Sequence, residues 1–160
     1  MKKLIWVLVF LCLSSLLVSS SMAGKTDRLC YDFDSRVVRV KDRIAWNEKR
    51  FYDDLAGLKQ DKARTQRNPR LALADEKLSV AIGLCNDGLN QVQVLKDRVP
   101  REIECGDKHR AVRRQMDVEV KALNDVESQI SNLNIIVNQY RSLRSEAASI
   151  TQSVEGGPRY

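Results

Sequence analysis

Apolar side chains return every seven residues along three stretches of this chain, and that spacing leaves few folds open to it. Cys30, Val37, Ile44, Phe51 and Leu58 form one row, with Phe33 and Val40 beside it. Leu71, Leu78, Cys85, Val92 and Val99 form the next, flanked by Ala74, Ala81, Gly88 and Leu95. The third run is the longest: Val112, Met116, Leu123, Val126, Ile130, Leu133, Val137, Tyr140, Ala147 and Val154. Each stretch is far too long for a strand, and the composition is rich in helix formers with only three prolines.

Proline and glycine mark the ends. Pro69 disfavours helix at Asn68 and suits the first turn of the next helix, Pro100 closes the second run, and Gly156-Gly157-Pro158 closes the third. The spacing therefore predicts helices over about 30–64, 69–99 and 107–154, in a domain spanning 24–155, with a disordered tail over 156–160. Short connections force consecutive helices antiparallel. The fold class is all-α: an elongated antiparallel helical hairpin plus a long third helix, a coiled-coil-like three-helix bundle. Two features pull against this regularity. Gly83 and Asn86-Asp87-Gly88 form a turn-like cluster in the second run, which leaves a kink near Gly88 open. The third run also outlasts either of the others, so part of its seam should seek a partner beyond the hairpin.

The first residues read differently. Lys2 and Lys3 precede the apolar run Leu4 to Leu13, which is followed by Ser21-Met22-Ala23, small side chains of the kind a signal peptidase accepts. Residues 1–23 are thus expected to be a signal peptide cleaved before Gly24, and the protein an exported one, periplasmic or secreted. The alternative is an uncleaved anchor. Export bears on the cysteines, because thiols outside the cytoplasm tend to oxidise. Cys12 leaves with the leader, and Cys30, Cys85 and Cys105 remain, an odd number. In a hairpin turning at Arg67 to Pro69, facing residues have numbers that sum to roughly 135. Cys30 and Cys105 satisfy that register, so a disulfide between them is expected, with Cys85 to Cys105 as the other pairing. Cys85 should then face Arg50 and Phe51 and behave as a small apolar residue.

Catalysis finds little to work with. His109 is the only imidazole, which removes most routes to an activated serine or cysteine, and there is no Gly-rich phosphate loop or Cys-x-x-Cys pair. Cys105 and His109, four residues apart, are metal-ligand candidates on one helical turn, yet two ligands do not make a site. No cofactor, small-molecule substrate or nucleic acid is expected. Charge is more informative, since Lys59, Lys62, Arg64, Arg67 and Arg70 crowd the proposed hairpin tip with only Asp61 against them. Such a tip would contact an anionic membrane surface or an acidic partner.

The expectation from sequence is a non-enzymatic envelope protein acting as a scaffold, adaptor or chaperone-like binder. Its partner would be another protein, or a second copy, engaged through helical seams. Two alternatives belong to other classes: a membrane-anchored rod of a secretion or lysis apparatus, and a metal or redox sensor built on Cys30, Cys105 and His109.

Overall fold

The computed structural model describes the backbone over residues 2–101 and 109–156 and the side chains over 28–101 and 114–156. Three α-helices account for nearly all of it: α1 (Lys2–Thr65), α2 (Ala72–Arg98) and α3 (His109–Glu155), with a 3-10 turn at Pro69–Leu71 between the first two. The described residues contain no strand. The chain divides into two compact units, Met1–Arg39 with Pro100–Leu123, and Val40–Val99 with Asn124–Tyr160.

The second unit is a three-helix bundle. Its register can be read from the pairs that bridge the helices. Lys62 meets Asp75 and Lys96 meets Glu48, so α1 and α2 run antiparallel. Lys77–Glu146 and Arg98–Asp125 likewise set α2 antiparallel to α3. Arg50 with Asn134, Arg141 with Asp54 and Arg144 with Asp61 set α1 parallel to α3. The core is the two α2 rows expected from the sequence, from Ala74 to Leu95, packed with Ile44, Phe51 and Leu58 of α1 and Val126, Ile130, Leu133, Val137 and Tyr140 of α3. In the first unit the buried positions are Cys30, Phe33 and Val37 of α1, and Met116 and Leu123 of α3.

Gly88 leaves no kink. α2 runs unbroken from Ala72 to Arg98. A Cβ at Gly88 would stand 2.3 Å from Phe51 Cε1, so the residue lacks a side chain in order to seat the Phe51 ring. Three residues earlier in the helix, the thiol of Cys85 donates to the Phe51 carbonyl at 3.3 Å, which is the neighbourhood the hairpin register assigns it. Gly57 plays a related part in α1, where a Cβ would lie 3.0 Å from the Arg144 guanidinium. Asn47 is the polar exception on the α1 seam. Its Nδ2 donates to Arg43 O at 2.8 Å, while its buried Oδ1 has no partner among the described residues.

Two expectations need correction. α1 begins at Lys2 rather than near residue 30. The described seam of α3 is not left seeking cover either. From Met116 to Ala147 its core positions are at most 7 % exposed. Among the described residues, no helix is long and apolar enough to cross a membrane.

Candidate functional site

Two surfaces of the second unit stand out, a groove between α2 and α3 and the basic turn after α1. The groove follows from the register. Lys77 with Glu146 and Arg98 with Asp125 fix which residues of the antiparallel pair face one another. That register places Leu73 opposite Ile150, Val80 opposite Leu143, Asp87 opposite Ile136 and Val94 opposite Gln129. Both members of each pair belong to seven-residue rows, 73-80-87-94 on α2 and 129-136-143-150 on α3.

These rows are not core. Leu73 is 55 % exposed, Val80 51 % and Val94 46 %, while Ile136, Leu143 and Ile150 are half-buried. At one end the groove deepens into a cavity of about 380 Å³ lined by Asn90, Gln91, Val94, Leu95, Gln129 and Asn132. Its floor is apolar and its rim carries four side-chain amides. Between the Leu73–Ile150 and Val80–Leu143 pairs the Lys77–Glu146 ion pair, 2.6 Å, spans the two helices and holds the carboxyl of Glu146 below the usual carboxylate range.

The turn is built from local hydrogen bonds. Asn68 Oδ1 accepts from Arg70 N at 3.0 Å, Leu71 N donates to Asn68 O at 2.9 Å, and Thr65 Oγ1 donates to Lys62 O at 2.9 Å. Thr65 and Leu71 are buried and pin the turn to the bundle. The five basic residues singled out by the sequence divide here. Lys62 is half-buried, bonds Ser79 and pairs with Asp75 at 3.6 Å, so it belongs to the α1–α2 interface. Lys59, Arg64, Arg67 and Arg70 are exposed. Arg64 also borders a cavity of about 470 Å³ between α1 and α3, with Asp61, Thr65, Leu78, Arg144, Ala147 and Glu155 among its walls.

Sequence spacing set Asp61 against this basic cluster, whereas Arg144 holds it. Arg144 Nε and Nη2 both lie 2.8 Å from Asp61 Oδ2, and the guanidinium rests over Gly57. A second polar group lies midway along α1 and α3. The Tyr140 hydroxyl, on a fully buried residue, donates to Asp54, which also accepts from Arg141 Nη2 at 3.0 Å. Burial and then the Asp54 carboxylate push the Tyr140 hydroxyl far above the ordinary tyrosine range. Desolvation, with Asp54 adding to it, raises the Cys85 thiol to about 11. A phenol and a thiol both held in their neutral forms are poor nucleophiles, so this cluster serves packing and register.

The remaining candidates lie elsewhere. Cys30 is fully buried in the first unit and is not a free thiol; Cys85 is the free cysteine among the described residues. Cys105 and the side chain of His109 lie outside the described residues, as does the tail from Gly157. No group of three metal-ligating side chains occurs among the described residues. The sequence reading missed the groove. A signal existed in the heptad repeat of Ile136, Leu143 and Ile150, but the cleaner core row beside it masked this second one.

Comparison with protein-family models, characterised proteins and solved structures finds no match to this chain.

Proposed function

We propose that this protein is an exported, non-enzymatic scaffold whose α2–α3 groove binds a further helix, and that in the first instance this helix comes from a second copy of the chain. The observation that carries the proposal is the pair of facing apolar rows. Leu73 with Ile150 and Val80 with Leu143 form two apolar layers on either side of the Lys77–Glu146 ion pair, with the α2 members exposed and the α3 members half-buried. Amphipathic helices bind such grooves through side chains one turn and two turns apart. A twofold dimer presents the same face from both partners, so every apolar layer is used twice.

Light scattering on the full-length chain tests this. The expected result is a mass of twice the chain, falling to one chain in a Val80→Lys, Leu143→Glu double variant that keeps its helical circular dichroism. A wild-type protein that stays monomeric at high concentration would remove the self-association; a stable complex with one helical partner would then carry the adaptor form of the proposal.

Export is proposed from the leader and from the cysteines together. Cys30 is engaged as half of a disulfide, and Cys85 is free. Cys12 lies on the same helix 18 residues upstream, about 27 Å away, beyond the reach of a disulfide. These facts favour Cys105 as the partner of Cys30, a bond suited to an oxidising compartment. Peptide mapping under non-reducing conditions tests it: a Cys30–Cys105 cross-linked peptide is expected, and a free Cys105 would overturn the pairing.

A further inference from the structure

The turn between α1 and α2 offers a second surface, independent of the groove. Two acidic residues beside it are already neutralised, which leaves Glu76 on the first turns of α2 as an exposed carboxylate against four exposed basic residues. Asp61 is held by Arg144 through two nitrogens, and Asp75 is held by Lys62. Lys59, Arg64, Arg67 and Arg70 form no ion pair among the described residues. Glu155 borders the same cavity as Arg64; even if the two offset each other, Lys59, Arg67 and Arg70 keep their charge.

The arginines are also presented from a fixed backbone. Arg64, Arg67 and Arg70 recur every third residue across a turn whose peptide groups are bonded internally: Arg67 N donates to Arg64 O at 3.4 Å and Asn68 N to Thr65 O at 3.1 Å. Little ordering is therefore left to be done on contact. Residues 59–71 contain no aromatic side chain on which a base could stack, and export would remove the chain from most nucleic acid. Guanidinium groups bond phosphate oxygens in pairs, and their attraction to a charged bilayer falls off over a Debye length.

We propose that Arg64, Arg67 and Arg70, assisted by Lys59, dock the α1–α2 turn on the phosphate head groups of an anionic membrane. Lys62, the fifth basic residue of the cluster, takes no part because Asp75 and Ser79 already occupy it.

Vesicle co-sedimentation of the full-length chain tests this, comparing phosphatidylcholine vesicles with and without phosphatidylglycerol. The neutral vesicles give the contribution of the N-terminal apolar segment, which is then subtracted. Each basic residue near a charged surface is worth about five-fold in binding, so replacing all three arginines by glutamine should weaken the anionic increment on the order of a hundred-fold. Replacing them by lysine should preserve most of it, and added salt should diminish it. Lys62→Gln should leave vesicle binding unchanged while lowering the melting temperature. An increment that survives the triple glutamine substitution, or is indifferent to salt, would overturn the proposal. So would arginine-dependent binding to a DNA oligonucleotide that exceeds binding to the anionic vesicles.

Discussion

Two glycines in one helix illustrate how differently the same residue can act. Gly88 makes room for Phe51, and adding a methyl group there would drive a Cβ into the ring. Gly88→Ala should cost about 2 kcal/mol in urea unfolding, the usual scale for overpacking a closed core, and Phe51→Leu in the same chain should return part of it. Gly83, only five residues earlier, faces open space. Gly83→Ala should therefore stabilise the protein by about 0.5–1 kcal/mol, since only the helical penalty of glycine is removed. Cys85 gives a third prediction, in pH. Its thiol ionises at about 11 in the fold against an ordinary 9.0, so the folded state disfavours the thiolate. Stability from this group is complete below pH 9 and is lost as pH rises through 11. Cys85→Ala should flatten that part of the stability–pH curve.

At the scale of the elements, the prolines and heptads carried most of the information. Pro69 and Pro100 separate the helices, and every α2 position from Ala74 to Leu95 on the two expected rows is buried. The hairpin register was legible as well, because it sets Cys85 against Phe51. Other elements were hidden for identifiable reasons. The start of α1 at Lys2 could not be read from heptads, since the apolar leader has no polar face to give it a period. The Arg144–Asp61 contact joins residues 83 apart in sequence, and no local pattern links them. The same holds for Tyr140 and Asp54, which tie α3 to α1. Tyr140→Phe removes that hydrogen bond but leaves Arg141 on Asp54, so it should cost about 1 kcal/mol rather than the larger penalty of stranding a carboxylate. Chemical denaturation of the variant checks this. Asn68→Ala, which deletes the side-chain acceptor of the turn, should cost a similar amount.

The molecule as a whole carries two surfaces of opposite physical character, and salt separates them. Association through the apolar α2–α3 groove should persist or tighten as salt is raised, whereas vesicle binding through Arg64, Arg67 and Arg70 should weaken. The two also respond to different substitutions, because Val80 and Leu143 lie on the groove while the arginines lie at the turn. The groove was only partly legible in the sequence. Its α2 row of Leu73, Val80 and Val94 is interrupted by Asp87, and its α3 row lies beside a stronger one. Only the register set by Lys77–Glu146 and Arg98–Asp125 brings the two rows to one face. The most direct measurement is the alkylation rate of a Val80→Cys variant as a function of protein concentration, with Asp53→Cys on the exposed side of α1 as the reference. If a second copy covers the groove, labelling at position 80 slows as concentration rises while labelling at position 53 does not. Equal rates at every concentration would contradict the claim that this face is where copies of the chain meet.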